Sequence, residues 1–334
     1  MLLKLLHTAD WHLGREFLSF SEDGRLALAR ARLAVLDHVF AEAERNDVHA
    51  VLCSGNLFSD PSPKREWWEG LATKLAAKNW SRPVFLVPGT HDPLMAEGVW
   101  RDARFLNLLP DFVHVVDREL AEHSFGAGAV LYATPGDGEA IPPRAKNDSR
   151  TRVGVTGRPG FGGEERGLDY LASQPAPEPF AFDEPEQGFV SLVMINSQRR
   201  VTLDRRRVGQ WSWETVRVTD LATLRALASR SDLADRVLRV TVEMRVSASE
   251  YEEAEHLLEE LGGTEKRHAK AGVLELNRDG LTLDVSNVGP ELATLPAVLQ
   301  ATVRRLQVLA ADPVTRAAAE RALFHLFRTA RGAR

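Results

Sequence analysis

The 334-residue sequence predicts an α/β fold for the first part of the chain. Apolar strand-like stretches at 2–7, 49–54 and 82–89 alternate with helical stretches at 25–46 and 61–79. This alternation is typical of parallel sheets with helical crossovers. A polar loop follows each of the three strands directly. Because ligand sites of α/β folds lie at the carboxyl ends of the strands, we expect one shared site there.

The two helices of this part each have their own signal. Residues 25–46 carry an apolar stripe at helical spacing that includes Leu28, Leu36 and Phe40. Residues 61–79 begin with prolines, which are tolerated in a first helical turn because no N–H partner is needed there.

A β-rich section comes next, and two Gly/Pro-rich loops without periodicity occupy much of 136–187. The predicted strands are 112–117, 129–136, 152–157, 188–195, 200–209 and 212–220.

The last third of the chain predicts a smaller β-α-β-β unit followed by helices. After a connecting helix at 220–230, a strand at 236–247 and a helix at 248–263 precede a hairpin at 271–285. Two terminal helices follow a linker. We expect three parts, with boundaries at 1–220, 221–287 and 288–334.

Composition predicts an ordinary soluble globular protein, with 44% hydrophobic and 27% charged residues. No apolar run approaches the ~20 residues that span a bilayer, and the N-terminus reads as a strand, not a signal peptide. The single Cys53 predicts a buried thiol and a cytoplasmic location. The net charge of −5 favours no particular partner.

Chemistry-bearing residues follow the three strands. Asp10 and His12 stand two residues apart, so in extended chain both could reach one metal. Asn56 follows the second strand, and His91 and Asp92 follow the third. An Asp-x-His pair alone is weak evidence, but the three groups together are quite specific.

These motifs resemble those of the calcineurin-like metallophosphoesterases, and within them the SbcD-type DNA-repair exonuclease subunits. The stretches "LLHTADWHLGREF", "VLCSGNLFSDPSP" and "VFLVPGTHDP" correspond to the first three motif blocks of the family, and "FDEPEQGFVSLVMI" to the strand after the last block. The resemblance covers nearly the whole chain. It implies a four-layer α/β/β/α sandwich, a small capping domain and C-terminal helices.

The resemblance also implies two Mn²⁺-type ions that activate a water for attack on a phosphodiester. By position, Asp10 and His12 would bind the first ion, and residue 56 would bridge both. His91 would contact the scissile phosphate as an acid or charge stabiliser. The family's partner is a coiled-coil SMC-like ATPase of the SbcC type, held by helices after the capping domain.

The sequence departs from the family pattern where the second ion would bind. Position 56 is Asn instead of Asp, position 90 is Thr instead of Asn, and no histidine occurs between Ser124 and Glu255, where the family places three. Two divalent cations ~3.5–4 Å apart repel by ~15–20 kcal/mol at an effective dielectric constant of ~20, and a neutral amide offsets this poorly. We therefore expect at most one weakly bound ion, at Asp10, His12 and Asn56.

Four features of the sequence each allow two interpretations. Asp60 could replace the missing carboxylate or serve a simple turn, and residues 157–163 could cradle a phosphate or close a deletion. The arginines of 205–207 beside Trp211 could contact nucleic acid or form a solvated strand face. The terminal helix could pack its apolar side chains on the core or present them to a partner; they are Leu323, Phe324, Leu326 and Phe327.

Two hypotheses of different classes follow. The first is an SbcD-like subunit that has lost two-metal catalysis but still binds DNA or an ATPase partner. The second is an active Mn²⁺-dependent exonuclease or phosphodiesterase with unusual ligands. A homodimer is compatible with both.

Overall fold

The computed structural model describes residues 2–125, 128–136, 139–158, 166–172, 176–183, 188–263, 269–284 and 297–332. The chain forms two compact units, Met1–Ser212 and Trp213–Arg334. None of the helices in these described ranges is long and apolar enough to cross a membrane.

A six-stranded sheet forms the centre of the first unit. Its strands, in spatial order, are β10 (Val201–Arg207), β9 (Phe189–Ile195), β1 (Leu3–Thr8), β2 (Ala50–Ser54), β3 (Val84–Val87) and β4 (Val113–Val115). The strands β1 to β4 pair in parallel, whereas β9 and β10 pair antiparallel to their neighbours. The predicted α/β class and the three leading parallel strands are confirmed.

Helices cover one face of this sheet. The helices α1 (Glu22–Arg45) and α2 (Arg65–Ala76) bury their apolar stripes against it, and a short α3 (Ala103–Leu106) packs nearby. Ser21 caps the start of α1, because its hydroxyl accepts a hydrogen bond from the Gly24 N–H at 3.3 Å.

A four-stranded sheet covers the other face. It consists of β5 (Ala121–Phe125), β6 (Ala129–Thr134), β7 (Thr151–Thr156) and β8 (Tyr170–Ala172) in that order. Side chains of both sheets form one apolar core, for example Leu5 and Leu52 with Leu131 and Val153. On the outer face of the second sheet, Ile141 and Leu168 from the connecting segments pack on Tyr132 and Val130.

The sequence analysis did not predict β5 or β8. Strand β5 alternates polar and small side chains at a sheet edge, and β8 is three residues long inside a Gly/Pro-rich stretch. Pairing with neighbouring strands defines both, and a single-sequence pattern carries little of that information.

The described part of the second unit contains a three-stranded sheet and four helices. The sheet has the order β11 (Ser212–Val218), β12 (Arg236–Val246) and β13 (Val273–Leu283). The helices are α4 (Leu221–Ala228), α5 (Ala248–Gly262), α6 (Ala297–Ala311) and α7 (Arg316–Gly332). The expected domain boundaries, at 1–220, 221–287 and 288–334, stay predictions.

The predicted hairpin at 271–285 is wrong, because β13 is one continuous strand that runs parallel to β12. The turn-like residues Asp279 and Gly280 are absorbed by a bulge, where the register shifts between Thr241 and Glu243. A Cβ at Gly280 would lie 2.5 Å from the Val242 carbonyl oxygen, so only glycine permits this close strand approach.

The apolar face of α7 packs on the core of its own unit. Leu323 is fully buried there, and Phe324 and Leu326 are partly buried against the same cluster. The side chain of Phe327 lies outside the described residues. Of the two interpretations of this helix, packing on the core is therefore the one observed for these three residues.

Candidate functional site

Three loops meet at the carboxyl ends of β1, β2 and β3, as the sequence predicts. The Asp10 N–H donates to the Gly55 carbonyl at 3.1 Å, and the His12 N–H donates to the Asn56 carbonyl at 2.9 Å. Asp10, His12 and Asn56 have φ angles of 51°, 45° and 53°. Left-handed backbone at non-glycine residues is uncommon and clusters at functional sites.

The Asp92 carboxylate connects two of these loops through hydrogen bonds to their backbones. Its carboxylate accepts hydrogen bonds from the backbone N–H groups of Gly89, Asn56 and Phe58 at 2.7, 3.1 and 3.0 Å. Burial raises the pKa of Asp92 to about 7 even though these bonds favour the charged form. The side chain therefore organises the loop backbones and does not face the open side of the site.

Asn56 directs its amide nitrogen, not its oxygen, towards Asp10. The Asn56 Nδ2 donates to the Asp10 Oδ1 at 2.7 Å. The Asn56 Oδ1 accepts from the His91 N–H at 2.9 Å and from the Thr90 hydroxyl at 3.3 Å. A reversed amide would set oxygen against carboxylate and N–H against N–H, so the partners determine its orientation.

His12 is a buried, neutral imidazole. Its Nε2 lies 3.7 Å from the Asp10 Oδ1, and the side chain of His12 is 2% exposed. Burial, with the positive charge of Arg32 nearby, lowers the pKa of His12 to about 2. Burial also raises the pKa of Asp10. The ring of Phe180 packs edge-on against His12 with centroids 4.5 Å apart, and the ring of the exposed His91 lies 5.0 Å away.

A buried arginine holds the segment that carries Phe180. The Arg32 guanidinium donates to the carbonyls of Trp11, Glu178 and Pro179 at 2.8, 3.2 and 3.0 Å. The sequence analysis missed both Arg32 and Phe180. Arg32 could have been found from the sequence, because it is a charged residue that follows Ala31 within the apolar stripe of α1. No sequence pattern indicated Phe180.

Backbone fills the end of β7, within the stretch from Ser124 to Glu255 in which the resemblance would place three histidines. A Cβ at Gly157 would lie 1.8 Å from the Pro88 carbonyl oxygen, and a Cβ at Gly55 would lie 2.7 Å from the Gly157 carbonyl oxygen. No side chain fits at these close approaches. The rest of the proposed phosphate-binding stretch, 159–163, lies outside the described residues.

The residues that the structure describes here do not fit a two-metal centre. Within the described ranges, no three His, Cys, Asp or Glu side chains come together as a metal-binding group. Asp10 and His12 are adjacent, but the bridging position offers an N–H donor. A divalent cation requires oxygen or imidazole lone pairs instead.

Two other candidates have structural roles. The Asp60 Oδ1 accepts from the Ser62 N–H at 2.8 Å, which is a local turn and not a replacement carboxylate. Trp211 is only 7% exposed, so its ring is not available for stacking on a base. Arg206 forms an ion pair with Asp204 at 2.7 Å.

Comparisons with known proteins found matches in sequence and in structure. Residues 3–163 match the calcineurin-like phosphoesterase family. The SbcD component of the nuclease SbcCD from Escherichia coli (strain K12) is 34% identical over 109 residues, which cover 31% of this chain and 25% of that protein. The corresponding component from Rhodobacter capsulatus is 33% identical over 94 residues, covering 27% and 22%.

The chain thus matches about a quarter of the length of these curated relatives. Among solved structures, the phosphoesterase Yfce from E. coli is similar with 11% identity. That match covers 62% of this chain and 100% of the other, with a TM-score of 0.29.

Proposed function

The chain carries a calcineurin-like phosphoesterase domain over residues 3–163, and from this premise we propose that it is an SbcD-like subunit without efficient two-metal catalysis. It binds DNA or an ATPase partner instead of acting as the principal nuclease. The observation that carries the proposal is the Asn56 amide, which donates its N–H to Asp10 at 2.7 Å.

Electrostatics at this position supports the proposal. The resembled family uses divalent metal ions, and a bridging carboxylate would offset the repulsion between two of them. Asn56 supplies no negative charge. Its amide oxygen already accepts hydrogen bonds from His91 and Thr90. The positive Arg32 beside His12 adds a further penalty for a second cation.

Hydrogen bonds hold the site together in place of a metal. Asn56 connects Asp10 to the loop of His91, and Asp92 connects the same loop to the end of β2. Phe180 covers the His12 imidazole. Asp10, His12 and Asn56 thus each have a contact partner within the chain, which supports a site that is held by hydrogen bonds and packing.

The partner follows from the relatives. They are named as one component of the nuclease SbcCD, a name that implies assembly with a second component. We propose that an SMC-like, SbcC-type ATPase is the partner of this chain, in a cytoplasmic complex that also contacts DNA. A homodimer of this chain is compatible with that assembly.

A second function retains catalysis at a single ion. It is favoured by the closeness of the His12 Nε2 to the Asp10 Oδ1, 3.7 Å, with the exposed His91 ring beside them. In this alternative the chain is an active Mn²⁺-dependent exonuclease or phosphodiesterase.

Metal titration and a cleavage assay separate the two functions. The purified chain would be titrated with Mn²⁺ by calorimetry and tested on single- and double-stranded DNA and on a chromogenic phosphodiester. We expect at most one weakly bound ion and no metal-dependent cleavage. Two tightly bound ions, with cleavage that is lost in His12→Ala but kept in the surface control His256→Ala, would contradict the proposal.

A further inference from the structure

The turn that follows β9 and the strand β10 together form the most basic segment of the first unit. Residues 196–207, which we name the basic hairpin, contain five arginines and one aspartate. The whole chain has a net charge of −5. The positive charge of this segment therefore stands out from the negative net charge of the chain, and it attracts a polyanion.

Strand geometry places two of the arginines on one face. Alternate residues of a strand point to opposite sides, so Arg205 and Arg207 share a face and Arg206 lies on the other. The ion pair of Arg206 with Asp204, at 2.7 Å, joins two residues of that second face. Asp204, the one aspartate of residues 196–207, thus lies with Arg206 on the face opposite to Arg205 and Arg207.

A phenylalanine positions both arginines. The guanidinium carbon of Arg205 lies 4.5 Å from the ring centroid of Phe189, and that of Arg207 lies 6.0 Å from it. Arg207 also donates to the Ser212 hydroxyl at 2.7 Å. Guanidinium groups held against a ring lose less conformational freedom on binding than free ones do.

The positive charge continues along the sheet edge. β10 is an outer strand of the six-stranded sheet, and Arg199 and Arg200 lie exposed in the turn before it. Neither forms an ion pair with any other residue that the structure describes. At about 3.3 Å per residue, β10 from Val201 to Arg207 extends over about 20 Å, with Arg199 and Arg200 in the turn before it. This length suits several consecutive phosphates of a nucleic-acid strand.

We propose that the basic hairpin is the surface on which this chain holds the nucleic-acid backbone, without sequence preference. The inference rests on the proposed function, in which the chain binds DNA, and it locates that binding. Guanidinium groups bind phosphate oxygens through paired N–H donors. Leu203 is the one large apolar side chain exposed on this strand, too little for the apolar core that a protein interface needs.

The test measures DNA binding by the full chain in EDTA, which removes metal-dependent cleavage. Fluorescence anisotropy with single- and double-stranded oligonucleotides would be followed over a range of salt concentrations. In the variant Arg205→Gln/Arg207→Gln, two lost phosphate contacts should reduce the salt slope on duplex by about 2 and weaken binding at least about tenfold at ~0.1 M salt. The control Arg25→Gln/Arg30→Gln, on the exposed face of α1, should leave both unchanged.

Charge-conserving Arg205→Lys/Arg207→Lys should keep the salt slope of the unsubstituted protein, and thermal unfolding would verify that every variant is folded. Equal losses in the Arg205/Arg207 and Arg25/Arg30 variants, or no loss in either, would overturn the inference. Equally tight binding of polyglutamate through the same arginines would also overturn it, in favour of an acidic protein. Cleavage in Mn²⁺ would refute the proposed function alone, since the EDTA data decide the role of the basic hairpin separately.

Discussion

The substitution Asn56→Asp would set a second carboxylate against Asp10. The donor nitrogen now lies 2.7 Å from the Asp10 Oδ1. Two full charges at that distance repel by about 6 kcal/mol at an effective dielectric constant of about 20. The lost hydrogen bond to a charged acceptor removes about 1.5–3 kcal/mol more. Because the two carboxyls can share one proton, most of the repulsion is relieved by protonation.

We therefore expect the metal-free variant to lose about 2–4 kcal/mol of unfolding free energy near pH ~8. Burial already raises the pKa of Asp10, and a second carboxyl would raise the pKa of the pair further. A carboxyl pair with raised folded-state pKa values binds more protons folded than unfolded. Its penalty is hence largest at high pH and fades as the pH falls towards the pKa of an unfolded aspartate, ~3.9.

Urea unfolding near pH ~8 and pH ~5 would measure this difference. Asn196→Asp is the matched control, because the Asn196 Oδ1 accepts from the N–H groups of Gln198 and Arg200 at 3.0 and 2.9 Å, and aspartate keeps both bonds. An Asn56→Asp protein as stable as the control at high pH would refute the orientation argued for the amide. Mn²⁺-dependent cleavage restored by this single change would refute the view that further ligands are missing.

Three other predictions concern the same end of the fold. Gly157→Ala should lower the free energy of unfolding in urea by about 3 kcal/mol, because its Cβ would meet backbone. Gly136→Ala should lower it by under about 1 kcal/mol, because the nearest atom to its Cβ would lie 3.4 Å away. Equal losses in the two variants would contradict the packing. Burial lowers the pKa of His7 to about 3, so stability should fall as the pH drops from about 6.5 towards 3. His7→Gln should flatten this pH dependence of stability. A midpoint near pH ~5 for the protonation of His7 in an NMR titration would disprove the burial argument. Arg32→Met should lose about 3–5 kcal/mol of unfolding free energy, since its guanidinium binds three buried carbonyls; a loss no larger than that of exposed Arg30→Met would refute this.

Local patterns were sufficient to predict much of the fold. The strands β1, β2 and β3, the helices between them and the three polar loops all follow from periodicity and turn residues, which act over a few positions. The sequence also predicted that Asp10, His12, Asn56 and His91 meet. Parallel strands with helical crossovers bring their carboxyl ends together whatever the side chains are.

Long-range pairing accounts for what the sequence did not predict. β13 stays one strand through Asp279 and Gly280 because β12 pairs with it on both sides of a bulge. Arg32 belongs to the site because it bonds to Trp11 and to Pro179, which is 147 residues away in the chain. No pattern within a window of a helix or strand contains such partners.

The sequence by itself determined which donor atoms are available: residue 56 carries no carboxylate, and no histidine occurs between Ser124 and Glu255. Only the tertiary structure decided that the Asn56 N–H faces Asp10 and that the backbone of Gly157 fills the end of β7. Residue identity limits which groups are available. The direction of a hydrogen bond and the space left for a side chain depend on neighbours that folding brings together from distant segments.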